Sequence, residues 1–276
     1  MSKIAGMTNS LRAYMLFDRY LNDSVGVLLY YKKEKTFIAE LKDTLDEWTA
    51  PLLFAGLVKK GIFTVPRDIT LAWVRERVIP PGRQNIDAIL THHRLKEYDE
   101  MKLLELSGGK CCQDAICIKE LDALPAYVER RMQENLAEAV MCENGRILCI
   151  FRDNTVRLFD LKEHKESIAD SEKILSNPSL YESGKVGTGG FFLTFNDSID
   201  IPAGTLYRNS VQLPLKQSDL IAFIQKNVAD TSATCRILGC TRQNLTYMQE
   251  KGQLAPVKND VKGNLFLKGD VIKNTW

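Results

Sequence analysis

From Asp230 to Gly252 the sequence reads DTSATCRILGCTRQNLTYMQEKG, and its capping residues and two glycines confine the chain there to two short helices joined by a tight turn. Thr231 or Ser232 is suited to cap the first helix, whose apolar positions Ala233, Ile237 and Leu238 recur at helical spacing before Gly239 ends it. Thr241 caps the second at once. Leu245 and Met248 then share its inner face, Gln243, Thr246, Tyr247 and Glu250 point the other way, and Gly252 closes it. A second helix opening with Arg242, Gln243 and Asn244 offers donors and amides suited to major-groove base edges, and its dipole favours phosphate. After Gly252 the pattern turns extended. Leu254 and Val257 flank Pro256, a polar turn runs from Asn259 to Gly263, and Leu265, Phe266 and Leu267 form a second apolar run. Lys258 and Lys262 belong to the tip of that hairpin, where they can meet phosphates without reading sequence.

This order of elements, with the junction Lys251-Gly252-Gln253-Leu254-x-Pro256-Val257, resembles the winged helix-turn-helix of the MerR and excisionase type. The resemblance implies double-stranded DNA as partner, contacted by Thr241, Arg242, Gln243, Asn244, Thr246, Tyr247, Lys251, Lys258 and Lys262. MerR proteins dimerise through a long helix after the wing, whereas this sequence reaches Trp276 soon after it, a departure from the pattern. A homodimer or tandem sites are still expected, because one such module buries little surface. The alternative is that the helices and hairpin only pack on the rest of the protein or on a protein partner.

Charge is distributed accordingly. The formal charge is +2, yet from Lys216 onward nine Lys/Arg stand against five Asp/Glu, a surplus of +4, and the remainder carries −2. The surplus sits on the candidate reader, and it is too small for indiscriminate coating of DNA.

At 276 residues, 45% hydrophobic and 26% charged, the chain has material for three small domains of α+β class. The expected domains are 1–122, 130–213 and 216–276. There is no apolar run of membrane-spanning length and no signal-like start in MSKIAGMTNSLRAYMLFD, so a cytoplasmic protein without membrane partners is expected. Seven cysteines, an odd number in apolar surroundings, read as structural thiols of a reducing compartment. Cys111, Cys112 and Cys117 are the densest group, and Cys235 and Cys240 flank the helix-turn-helix turn. Neither group has histidines at metal-site spacing.

The middle of the chain reads as a hairpin, Arg146–Phe151 and Thr155–Asp160 about Asp153-Asn154. A helix over 168–176 follows, then an extended pair, 183–186 and 191–195, about the glycines 187–190. No Lys-Ser/Thr pair follows those glycines, which excludes a phosphate loop. The strings IFRDNTVRLFDL and FFLTFNDSIDIPAGTLY resemble the bacterial domain of unknown function two-four-four-two. Members of that family occur fused to helix-turn-helix modules and as antitoxin-like partners of toxins.

In the first 122 residues, Val25–Tyr31 and Thr36–Leu41 read as a hairpin and Pro51–Lys60, Ile69–Arg77, Gln84–His92 and Tyr98–Leu106 as helices, with a closing strand at 112–118. The run Trp73, Arg75, Arg77, Ile79-Pro80-Pro81, Arg83, Asn85-Ile86, Ile89-Leu90, Leu95 and Tyr98-Asp99, ending near Asp114, resembles the N-terminal portion of HipA-like proteins. That resemblance suggests a toxin or HipA-like kinase as protein partner. The kinase motifs themselves are missing: there is no Asp-Phe-Gly and no His-x-Asp-x-x-x-x-Asn loop. Arg75 and Arg77 read as partners of Glu76, Asp87 or other carboxylates on a solvated surface. His92 and His93 lie about 100° apart on a helix, too divergent for one metal. With no nucleophile–base set to nominate, no enzyme, cofactor or metal is expected, and a DNA-binding regulator or autoregulating antitoxin is the leading reading.

Overall fold

Strand β1 (Leu11–Asp18) is buried or half-buried throughout, and its neighbours β2 (Asp23–Tyr31) and β3 (Thr36–Leu41) are buried along most of their length, because both faces of their sheet are covered. The computed structural model describes residues 10–166, 168–259 and 263–273. After β3 come α1 (Leu52–Val58), β4 (Thr64–Val65), α2 (Arg67–Arg75), α3 (Ile86–His92), α4 (Glu100–Ser107) and β5 (Ile116–Leu121). The antiparallel sheet has the order β4-β3-β2-β1-β5, with Leu28 opposite Tyr14 and Ala39, and Leu29 opposite Ala13 and Ile38. Tyr14, Leu28 and Ala39 face a core completed by Phe54, Trp73, Val74 and Leu104 of the helices. Ala13, Leu29 and Ile38 face a second core completed by Val128, Met132, Phe191 and Phe192. Each large apolar side chain so buried contributes about 1.5–3 kcal/mol relative to exposure.

Those last four residues come from the middle of the chain. There the elements are α5 (Ala126–Arg131), β6 (Leu136–Met141), β7 (Arg146–Phe151), β8 (Thr155–Asp160), α6 (Ser171–Ser176), α7 (Pro178–Glu182), β9 (Lys185–Val186), β10 (Phe192–Phe195), β11 (Ile199–Pro202) and α8 (Ala203–Asn209). β6 pairs with β7, and β9, β10 and β11 form a three-stranded sheet, all antiparallel. Their own core gathers Phe151, Phe159, Leu161, Leu193, Phe195, Ile201 and Leu206. The glycine-rich stretch is the turn between β9 and β10. Gly190 is required there: its φ is +74° and a Cβ would come within 2.1 Å of the Leu136 carbonyl oxygen.

The chain divides into two compact units, residues 1–153 with 159–210, and residues 154–158 with 211–276. Most of the segments 1–122 and 130–213, expected as separate domains, falls in the first unit, where the core on the second face of the sheet joins them; 154–158 and 211–213 belong to the second unit. The second unit contains β12 (Val211–Lys216), paired with the start of β8, then α9 (Gln217–Asn227), β13 (Val228–Asp230), α10 (Thr231–Leu238), α11 (Arg242–Glu250), β14 (Leu265–Leu267) and α12 (Lys268–Lys273).

The α+β class is as expected, and several local expectations are corrected. The closing strand of the first sheet begins at Ile116, not 112, because the Asp114 carboxylate accepts from the Ile116 N–H and caps the loop before it. The helix expected at 168–176 starts at Ser171, and Asn177-Pro178 opens α7, with Asn177 accepting from the Leu180 N–H. Arg77 is buried, not solvated. It pairs with Asp114, stacks over the Trp73 ring with its guanidinium carbon 3.7 Å from the centroid, and donates to the Trp73 carbonyl. No helix among the described residues is long and apolar enough to cross a membrane.

Candidate nucleic-acid interface

The second unit is held by a small core of Leu245, Leu254, Phe266 and Val271, against which Cys235, Leu238 and Cys240 pack. β13 and β14 pair with Ala229 opposite Phe266, so the strand before α10 and the second arm of the wing are joined. That pairing ends at Asp230, which is thereby placed to cap α10: its carboxylate accepts from the Ala233 N–H at 2.6 Å. The cap is thus Asp230 and not Thr231 or Ser232. Thr231 is used otherwise, its hydroxyl accepting from the Asn264 N–H at 3.1 Å and tying the hairpin to the start of α10. The inner face of α10 is also rotated from the expected one. Thr234 is fully buried and Ile237 is exposed, because the helix packs through Cys235 and Leu238.

Gly239 takes the left-handed conformation, φ 63°, and turns the chain directly into α11. Thr241 caps that helix as expected, accepting from the Asn244 N–H at 3.3 Å. Leu245 is 2% exposed and anchors the inner face, with Met248 half-buried beside it. Thr241, Arg242, Gln243, Asn244, Thr246, Tyr247 and Lys251 are all exposed, so seven of the nine nominated residues lie on α11 or its caps and are open to solvent. Within it the Arg242 guanidinium donates to the Ser232 hydroxyl at 3.2 Å. The Thr246 hydroxyl donates back to the Arg242 carbonyl, and the Lys251 ammonium lies 5.6 Å from the Tyr247 ring centroid. Ser232, which holds Arg242, was not nominated. Its signal in the sequence is only a hydroxyl on the preceding helix.

Lys258 is exposed on the first arm of the wing, where its backbone bridges to Leu265: the Leu265 N–H donates to the Lys258 carbonyl at 2.9 Å. Lys262 lies outside the described residues. The wing is therefore a hairpin whose first arm is a single bridge and whose second is β14.

Arg236, Arg242 and Lys251 form no ion pair among the described residues. Arg242 at the N-terminus of α11 and Lys251 at its C-cap are thus exposed cations with no carboxylate against them, charges that an external anion can meet. Among the described residues no group of three or more His, Cys, Asp and Glu is arranged to hold a metal ion. The chain matches no protein-family model, no curated protein and no solved structure.

Proposed function

We propose that this protein binds double-stranded DNA through its second unit, as a transcriptional regulator or autoregulating antitoxin of the cytoplasm, and that it is not an enzyme. The observation that carries the reading is the outward face of α11, where Arg242, Gln243, Asn244, Thr246, Tyr247 and Lys251 are exposed together while Leu245 is buried. Arginine and amide side chains at the start of such a helix match the donor and acceptor edges of bases in the major groove. Lys251 and the wing lysines Lys258 and Lys262 supply phosphate contacts. A dimer or tandem sites supply the area that one module lacks. The test is a mobility shift with full-length protein, using duplex from its own promoter and random duplex at low salt. A shift is expected with both, stronger with the promoter. No shift with either overturns the reading.

A second reading has an observation of its own. α9 exposes Ile221, Phe223 and Ile224, at 46%, 55% and 54%, more apolar surface than a helix of a free-standing module needs. On that reading the second unit contacts protein, a toxin or HipA-like kinase among the candidates. Pull-down of such a partner by protein that fails to bind DNA would favour it.

A further inference from the structure

The turn of the helix-turn-helix closes on a pair of thiols. With Gly239 in the left-handed conformation, the Cys240 N–H donates to the Cys235 carbonyl at 3.0 Å and the Gly239 N–H to the Arg236 carbonyl at 3.4 Å. This double hydrogen bond at a helix end brings the side chain after the glycine onto the side chain whose carbonyl it binds, a contact that usually joins two apolar groups. Here both are cysteines. Both are free thiols and only partly buried, and both side chains rest against the core of Leu245 and Leu254. Three other thiols are placed differently: that of Cys149 donates to a backbone carbonyl of its own strand, that of Cys142 to the Val140 carbonyl and that of Cys111 to the Asp114 carboxylate.

We propose that Cys235 and Cys240 are a reversible disulfide site, oxidised by low-molecular-weight disulfides such as that of glutathione. The Cys235 thiolate attacks one sulfur of the oxidant, forming a mixed disulfide and expelling one thiolate. The Cys240 thiolate then attacks the Cys235 sulfur, closing the bridge and expelling the second. Two electrons pass to the oxidant, and the two protons lost by the cysteines end on the released thiols. Burial and the neighbouring Cys235 raise the Cys240 thiol above its ordinary pKa. The backbone hydrogen bond already holds the two residues side by side, as a bridge between them requires. Once formed, it fastens the last turn of α10 to the residue before Thr241, the cap of α11. The site does not depend on whether the module binds DNA.

Trypsin separates the two cysteines, since Lys226, Arg236 and Arg242 are cleavage points. Full-length protein is treated with glutathione disulfide, its free thiols are blocked, and it is digested. Peptides 227–236 and 237–242 are expected as one cross-linked species, lighter than their sum by about 2 Da and separated by dithiothreitol. C240S is expected to retain glutathione on Cys235 instead. In hydrogen exchange, the Gly239 and Cys240 amides of the oxidised protein should exchange roughly tenfold or more slowly. Recovery of the two peptides apart, with either cysteine free, glutathionylated or joined to another cysteine, overturns the site. Unchanged exchange of those amides overturns the claim that the bridge fastens the turn.

Discussion

The arginines that tie the first unit together and those exposed around the helix-turn-helix of the second are used in opposite ways. In the first unit Arg12 reaches Glu105 and Glu120, Arg67 forks onto Asp200, Arg77 pairs with Asp114, and Arg131 spans Glu40 and Asp43. In the second, the Arg242 guanidinium has only the Ser232 hydroxyl, and Arg236 and Lys251 have no carboxylate among the described residues. A cation whose charge is met inside the molecule fixes the fold and is costly to remove. One whose charge is left unmet costs the fold little and is available to a partner. Substitutions should therefore separate into those that unfold the protein without a specific effect on binding and those that do the reverse.

The largest effect is expected at Arg131. It meets the fully buried Glu40 carboxylate, which also accepts from the Thr64 hydroxyl, and it donates to the Leu41 carbonyl. Arg131→Ala leaves a buried carboxylate without its counter-charge and should cost about 3–5 kcal/mol in urea unfolding near pH 8. Glu40→Gln with Arg131→Met should recover much of that loss. If Arg131→Ala costs under about 1 kcal/mol, the pair is no more than a surface contact.

Glu40 also makes the first unit sensitive to pH. Burial pushes its carboxyl up to about 7, against the downward pull of Arg131 and Thr64. The folded state thus holds a proton more tightly than the unfolded chain does. The stability from this group is fully present below the ordinary carboxylate range and is lost as pH rises through about 7. Unfolding followed from pH 4.5 to 8.5 should show a decline of up to about 3 kcal/mol assignable to this residue. The corresponding slope should disappear in Glu40→Gln, and a slope that survives would place the titration elsewhere.

The same contrast explains what the sequence could disclose. α11 was legible because everything that defines it is local: a threonine cap, one buried leucine at the right spacing, and a glycine at the end. The cap of α10 was not, because Asp230, Thr231 and Ser232 are equivalent by residue type. Only the pairing of β13 with the distant β14 decides that the strand ends at Asp230. Arg77 does meet Glu76, a partner expected for it, but it is buried and not solvated because its closer partner Asp114 lies 37 residues away, a pairing that no local pattern reports. β1 gave no signal of its own, since a strand buried on both faces lacks the alternation that marks a half-exposed one. The union of the first and middle segments depends on Phe191 and Phe192 packing against β1, β2 and β3, and no spacing rule reports such a contact.

In the second unit the expected losses are of binding, not stability. Arg242→Ala and Tyr247→Ala should each weaken duplex binding by about 1–3 kcal/mol, read by fluorescence anisotropy, with unfolding midpoints close to wild type because both side chains are exposed. A double substitution that leaves affinity intact would move the contact surface off α11, whatever the module binds.

The smallest effect is expected on the wing, and its form matters more than its size. Lys258 lies on an arm joined to β14 through its backbone, so removing the side chain leaves the Leu265 hydrogen bond in place. A lysine that meets only phosphate adds affinity through release of a counterion, without regard to sequence. Lys258→Ala should therefore weaken promoter and random duplex by the same factor and lower the slope of log K against log salt by about 1. Arg242→Ala, if it removes a base contact, should instead reduce the preference for the promoter. If Lys258→Ala alters that preference while leaving the salt slope unchanged, the wing reads bases, and the division between an outward helix that specifies and a hairpin that only positions is wrong.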